Sequence, residues 1–403
     1  MSISVATKTN FQQALDKKVL AGLTSAPMEM NASQVVYNGG KEFKIPKMST
    51  DGLADYARNG GYVTGDYVFE YETKTFKKDR GRSFPIDVMD IDETGFVLTA
   101  GALAASFIDE KVVPEIDSFR YSEIFSIVNA AGDYTEAYTP VVGTVFGKFK
   151  DALTTVGNET GGVPLVAFVN AIVLGTLEKS TEFTRMITSE EVQRGERKTT
   201  IRMIDNVQLV PVPSSRMKTV YNYLTGGEGQ TAGGVTAGTN AMSMNWIICP
   251  ISGPIAIVKH AMPKIIAPEN NPDADGYLYG YRVYHTLEIA DNKIPLFRVS
   301  YTPIDAPALT ATVAAGAAAG TKFTATAGTG NTLAYILGAA SPGVKYNDLV
   351  ANLTGAVSPY TSGADIATAV AGNVLTMMKV SSLGRVIEVK EVTLESGDIY
   401  SAG

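Results

Sequence analysis

Histidine, cysteine and tryptophan are nearly missing from this 403-residue sequence, with two, one and one of each. Cys249 alone has no partner for an internal disulfide, and a four-cysteine zinc site is excluded. With only His260 and His285, catalysis or metal binding built on histidine is thinly supplied. Long apolar runs are also missing. The longest, Val163–Leu177, spans about 15 residues and is broken by Asn170 and Thr176, short of the ~18 of a membrane span. Its flanks, Gly161-Gly162 and Glu178-Lys179, suit a buried strand followed by a helix. The N-terminus, Met1 to Lys8, lacks the basic-then-apolar pattern of a signal peptide. An excess of positive charge is absent too. The net charge of −7 argues against broad nucleic-acid binding, because neutralising phosphates needs a basic surface. The expectation is a soluble protein made in a reducing cytoplasm.

What is present describes an ordinary globular chain, 45% hydrophobic and 19% charged, long enough for two or three domains. The stretch Gly61–Val128 stands out. Tyr67, Phe69 and Tyr71 alternate with Asp66, Glu70 and Glu72, the period of a strand with one apolar and one charged face. A return limb through Phe76, Phe84, Ile86 and Val88 predicts a hairpin over 62–90, with the basic run Lys77-Lys78-Asp79-Arg80-Gly81-Arg82 at its turn. Two limbs of ~12 residues at ~3.3 Å each reach roughly 40 Å. A lone two-stranded ribbon is marginal in water, so its aromatic face needs a surface to lie on.

A long helix is expected over 94–128, starting near Asp92 or Thr94, with Val97, Ala104, Ile108, Val112, Ile116 and Phe119 on one face. Pro114 is expected to kink or divide it. Acids gather on this helix and bases on the hairpin, so the two are complementary in charge. Before the hairpin, residues 1–61 read as an extended arm with a short helix over Asn10–Leu20 and a short strand over Glu42–Ile45. From 135 to 262 the pattern is mixed α/β. Helical tendency at Gly147–Val156 and Ile172–Phe183 alternates with strands at Pro164–Val169, Val207–Val212, Asn245–Cys249 and Ile255–Val258. Gly226–Gly238 reads as a mobile loop. Tyr279, Tyr281, Val283 and His285 alternate along a strand, and Ile294–Ser300 follows as another. Past Thr302–Pro307, strands are expected at Lys322–Thr326, Thr332–Gly338, Val374–Val380 and Arg385–Leu394, the last with imperfect alternation that allows a bulge, and a short helix at Ala364–Ala371.

Several fragments imitate chemistry. Ser215-Arg216-Met217-Lys218 has the Ser-x-x-Lys spacing of some acyl-transfer enzymes but lacks the companion motifs, and a serine hydrolase using Ser215 is a remote alternative. Gly143–Lys148 falls one residue short of a phosphate loop, and Phe149 replaces the magnesium-holding hydroxyl. Asn271–Gly276 opens like a calcium loop, but its twelfth position is Arg282 rather than glutamate. Gly227-Glu228-Gly229 has no strand-to-helix unit around it, so it does not support dinucleotide binding. No enzyme, cofactor or metal site is expected.

Three runs carry a resemblance instead. They are Asp79–Phe84 (Asp-Arg-Gly-Arg-Ser-Phe) with Asp87-Val88-Met89-Asp90 and Glu93-Thr94, then Val113-Pro114-Glu115-Ile116-Asp117-Ser118-Phe119-Arg120, then Val210-Pro211-Val212-Pro213-Ser214-Ser215-Arg216-Met217. In that order and spacing the sequence resembles a tailed-bacteriophage major capsid protein of the Hong Kong 97 type, over about 1–305. The resemblance implies an α+β fold with an N-terminal arm (1–61), an E-loop hairpin (62–93), a peripheral domain with a spine helix (94–134), an axial domain (135–262) and peripheral return strands (263–305). A β-rich C-terminal domain at 306–403 lies outside the usual fold. It is expected as a surface decoration that steadies neighbouring subunits or binds a host surface.

The resemblance further implies homo-pentamers and homo-hexamers closing into an icosahedral shell around double-stranded DNA, with a portal and a separate scaffolding protein as partners. Contact with the DNA would be weak and non-specific, no membrane is involved, and the chain would be made in the host bacterial cytoplasm and end in the virion. Only about 60 residues precede the expected hairpin, so no large N-terminal prodomain is expected. An encapsulin-like compartment shell packaging an enzyme is the alternative. Contacts between subunits are expected from Tyr67, Phe69, Tyr71, Lys74, Lys77, Lys78, Arg80 and Arg82 of the hairpin. Asp109, Glu110, Glu115 and Asp117 of the helix form the expected acidic counter-surface.

Overall fold

The computed structural model describes residues 22–37, 39–56, 58–89, 100–180, 188–194, 197–230, 232–272 and 274–401. The expected arm helix at Asn10–Leu20 and the expected helix start at Asp92–Val97 lie outside them. The architecture is mixed α/β, and packing divides it into two compact units, Met1–Thr135 with Pro140–Ser300, and Glu136–Thr139 with Tyr301–Gly403.

In the first unit a long helix lies on a three-stranded sheet of Pro254–Ile266, Gly276–Ile289 and Lys78–Asp87. The alternation of Tyr279, Tyr281 and Val283 sends all three to one face. There they pack with Leu23, Ala104, Ile108, Val112, Val113 and Ile116. The helix runs as Ala100–Phe107, a π-helical turn at Ile108–Val112, and Val113–Ala131. That turn answers Pro114. A proline has no N–H to return to the preceding turn, and the widened register, in which Val113 N–H reaches back to Ile108 O, absorbs the gap without ending the helix.

The first unit also holds the run Ser243–Pro250, Leu165–Asn170, Val207–Val212, Arg197–Ile204, Thr188–Arg194 of a second sheet. Leu165–Asn170 is buried on both faces and pairs in parallel with Val207–Val212, as its unbroken apolar run suggests. Asn170 ends the strand and caps the next helix, Ala171–Glu178, its side chain accepting from Ile172 N–H.

One expectation fails here. Tyr67–Thr75 and Lys78–Asp87 are both strands, but they do not pair with each other. Tyr67–Thr75 pairs with Glu42–Thr50, and Lys78–Asp87 pairs with Gly276–Ile289. The chain turns a corner at Phe76-Lys77, where Phe76 is buried. From Lys78 on, the basic run is therefore strand, not turn. Its continuation Phe84 stacks on Tyr279 at 6.3 Å and meets Phe107 edge-on at 4.9 Å, an apolar contact that a solvent-facing return limb would forgo. The expected strand Glu42–Ile45 extends to Thr50 for the same reason: it is the ribbon's other limb.

The second unit contains a four-stranded sheet in the order Val357–Tyr360, Thr332–Gly338, Val374–Val380, Val386–Thr393, beside a two-stranded ribbon of Ala311–Ala315 and Thr321–Ala325. Both faces of the sheet are covered: Leu333, Leu375 and Met377 pack with Phe323 and Tyr360, while Ala334, Ile336 and Met378 pack with Val344 and Val350. A register shift at Lys379/Val380 is the bulge. Ala364–Ala371 is not a helix. Ile366 exchanges backbone hydrogen bonds with Thr321, and the Asp365 carboxylate accepts the N–H groups of Ala317, Ala318 and Ala319. Gly320 permits this approach, because a Cβ there would overlap the Ile366 carbonyl oxygen.

Candidate assembly surface

The ribbon Glu42–Thr75 is anchored at its base and bare at its end. Phe43 and Ile45 are buried among Val35, Phe76, Ile255, Ile257 and Ala290, with Phe76 edge-on to Phe43 at 5.1 Å. The partners Pro46↔Tyr71, Met48↔Phe69 and Thr50↔Tyr67 then stand on the face opposite to Phe43 and Ile45. Along that face Met48 is 65% exposed, Tyr67 72%, Phe69 51% and Tyr71 48%. Phe69 meets Tyr71 edge-on at 5.0 Å. The other face is charged: Lys47 and Lys74 flank Glu72 at 3.9 and 3.8 Å. Asp51 and Asp66 close the ribbon, the backbone N–H of Asp51 bonding Asp66 O at 3.1 Å and Asp66 N–H bonding Asp51 Oδ2 at 2.7 Å. Beyond them, Tyr56 and Tyr62 touch edge-on at 5.0 Å and both stay exposed.

The basic residues meet the acidic helix, but within one chain. Lys77 Nζ sits between Glu123 and Glu288 at 2.7 and 2.6 Å. Burial opposes its charge, yet the hydrogen bonds to the two carboxylates outweigh burial and hold its pKa above the usual lysine range. Lys78 Nζ lies 3.5 Å from the centre of the Tyr223 ring; burial, then the charge of Arg80, lower its pKa. Arg80 Nε donates to Glu115 Oε1 at 2.5 Å, and Arg82 Nη1 donates to Ala232 O at 2.7 Å. Lys74 reaches Asp291 at 3.3 Å. These partners all lie within one chain.

The acidic counter-surface divides as well. Asp109 and Glu110 are exposed, and Glu110 accepts from Ser106 Oγ at 3.1 Å. Glu115 is taken by Arg80. Asp117 is fully buried and presents no acid to a partner.

Asp117 is instead the centre of a polar knot that sequence reasoning missed. Its carboxylate accepts from Thr24 N–H and Oγ1 at 3.1 and 2.8 Å, from Ser25 N–H and Oγ at 3.1 and 2.6 Å, and from Arg216 Nη1 at 3.0 Å. The equally buried Arg120 donates to Ser25 Oγ at 3.0 Å and to Glu29 Oε1 at 2.5 Å. Segment 24–29, the helix and the turn at Ser214–Arg216 are thereby joined. The one available signal was that Asp117, Arg120 and Arg216 all sit in the motif runs. Beside them, Lys218 Nζ donates to Ser243 Oγ at 2.6 Å, so the Ser-x-x-Lys spacing does not describe the pairing formed. Among the described residues no group of acids, histidines and cysteines is placed to hold a metal ion, and no helix is long and apolar enough to cross a membrane.

No protein-family model matches the sequence, and no curated protein does. Solved structures do match, and among them are phage capsid proteins. The chain is similar to the mature capsid of bacteriophage PhiM1, with 12% identity, a TM-score of 0.44, and coverage of 66% of this chain and 83% of that one. It is similar to the capsid of the cyanophage P-SCSP1u at 10% identity and a TM-score of 0.42, covering 66% and 85%. It is also similar to a virus-like particle from Pyrococcus furiosus at 11% identity and a TM-score of 0.42, covering 73% of this chain and 100% of that one.

Proposed function

We propose that this chain is a structural shell protein, the major capsid protein of a tailed phage. In this reading it assembles through pentamers and hexamers of itself into an icosahedral head around double-stranded DNA, alongside a portal and a separate scaffold. The observation that carries the proposal is the ribbon Glu42–Thr75, whose outer half presents Met48, Tyr67, Phe69 and Tyr71 to solvent. Beyond its base, where Val36–Tyr37 adds a third strand, the ribbon is two-stranded and marginal by itself, and covering an exposed Phe or Met side chain is worth up to about 1.5–3 kcal/mol. A second copy supplies the covering surface, and repetition around a closed shell multiplies the gain. The ordered motif runs support the same reading. In it, the ribbon Glu42–Thr75 takes the part of the E-loop, Val113–Ala131 that of the spine helix, and 306–403 that of an accessory domain.

The test is electron microscopy and sedimentation of the purified protein and of a Tyr67→Ser/Phe69→Ser/Tyr71→Ser variant. Closed shells are expected from the parent, and small oligomers or monomers from the variant with its fold intact. Shells containing DNA and a portal favour a phage head, and shells loaded with an enzyme favour a compartment. A parent that stays monomeric under all conditions, or a variant that assembles normally, refutes the proposal.

A further inference from the structure

The segment Tyr221–Ala237 is a small ribbon whose strands, Tyr221–Leu224 and Gly234–Ala237, pair only with each other. Four-residue strands outside any larger sheet do not hold themselves together in water. Its order comes from what it touches. On one side it lies on the long helix, where Tyr223 meets Phe119 edge-on at 6.4 Å, and Tyr221 Oη donates to Ser215 O at 2.7 Å and accepts from Lys218 N–H at 3.0 Å. At its loop end two arginines hold it: Arg82 Nη1 donates to Ala232 O at 2.7 Å, and Arg80 spans the strands. Arg80 Nη1 donates to Leu224 O at 2.9 Å and Nη2 to Gly234 O at 3.2 Å. Leu224 and Gly234 are partners across the ribbon, so a single guanidinium grips both strands at their last rung. The same guanidinium holds Glu115, through Nε at 2.5 Å and Nη2 at 3.3 Å, in the first turn after the π-helical segment.

We infer that Tyr221–Ala237 is a releasable strap across the helix, locked by Arg80 through the paired carbonyls of Leu224 and Gly234. The planar fork of arginine suits this task, since it can serve two carbonyls and a carboxylate at once. Gly226, Gly229 and Gly233 of the connection occupy positive φ, a conformation that glycine adopts without strain. Closed, the strap pins the helix just past its π turn; open, it removes that constraint and uncovers Phe119. The inference stands on contacts within one chain and does not depend on the shell reading.

Hydrogen exchange measured by mass spectrometry on the full chain tests it. Arg80→Gln is expected to speed amide exchange in 221–237 about tenfold, with 243–250 and 276–289 unchanged. Arg80→Lys keeps a charge for Glu115 but cannot span both carbonyls, and is expected to open the strap to a similar extent. Glu115→Gln leaves the carbonyl grip and is expected to change exchange there by no more than about twofold. Exchange in the strap that stays at the parent rate in both Arg80 variants overturns the inference. So does a rise of equal size across 276–289, since Arg80 would then serve the whole unit.

Discussion

Removing the carboxylate of Asp117 tests how much of the first unit hangs on one buried charge. Five donors from Thr24, Ser25 and Arg216 converge on it. In Asp117→Ala these lose their acceptor, and Arg216, whose side chain is only 18% exposed, loses its counter-charge. Taking one partner from a buried ion pair costs about 3–5 kcal/mol, because the other is left desolvated and unpaired. Against a usual net stability of ~5–15 kcal/mol, that is a large share. The assay is built into the chain. Trp246 is the only tryptophan, is 1% exposed, stands edge-on to Phe149 at 5.5 Å, and belongs to the first unit. Its emission during urea unfolding therefore reports that unit. A lower midpoint with an unchanged slope is the expected result. Arg216→Ala and the double variant close a cycle, in which the two losses should fall well short of additive. A loss below about 1 kcal/mol in Asp117→Ala would refute the view of the knot as a central tie.

Two further outcomes follow from the charges. His285 is buried beside Phe119, and burial, then the charges of Arg120, Lys78 and Arg80, lower its pKa to about 3. Its folded pKa lies below the 6.5 of the unfolded chain, so its contribution is complete above pH 6.5 and is lost as pH falls toward 3. The first unit should lose ~1.4 kcal/mol per pH unit there from this residue alone. His285→Gln should flatten the Trp246-monitored stability profile over that range, and an unchanged slope would refute the assignment. Assembly driven by the aromatic face of the ribbon should be favoured by sulfate rather than weakened by it. Light scattering of assembling protein that falls steadily with added salt would point back to ion pairs.

Local pattern was enough to find strands but not their partners. Tyr279, Tyr281 and Val283 announced their buried face because period two survives any choice of neighbour. Thr332–Gly338 and Val374–Val380 were legible with their limits, since apolar runs bounded by glycine and turn residues leave little room for another reading. Tyr67–Thr75 was legible as a strand with an aromatic face, yet its mate lay upstream in Glu42–Thr50, a stretch containing Pro46 that read as a short strand. Pro46 sits in the ribbon's projecting limb, where no larger sheet asks for its missing N–H. The strap was hidden because glycines at 226–238 signal freedom, and the distant guanidinium groups of Arg80 and Arg82 tie it down. Asp117 was hidden more deeply. On a helix, an acid in a charged run reads as solvated, and nothing local tells that Thr24, Ser25 and Arg216 will close over it.

The corner at Phe76-Lys77 separates two energetic roles that the sequence sets side by side. After the corner, Lys77, Lys78 and Arg80 are committed to Glu123, Glu288, Tyr223 and Glu115 within their own chain. Whatever they contribute is already spent in folding, and exposed ion pairs between copies would add only ~0–1 kcal/mol each. Before the corner, the aromatic face gains comparatively little from folding, because the ribbon's anchor residues Phe43 and Ile45 point to the other side. A fold that left such a face bare for no purpose would carry an edge-strand and aggregation liability without compensation. The face is therefore where association can be selected almost independently of stability. On the proposed reading, substitutions at Tyr67, Phe69 or Tyr71 are expected to act on contact between copies, and substitutions at Phe43 or Ile45 on the fold that presents it.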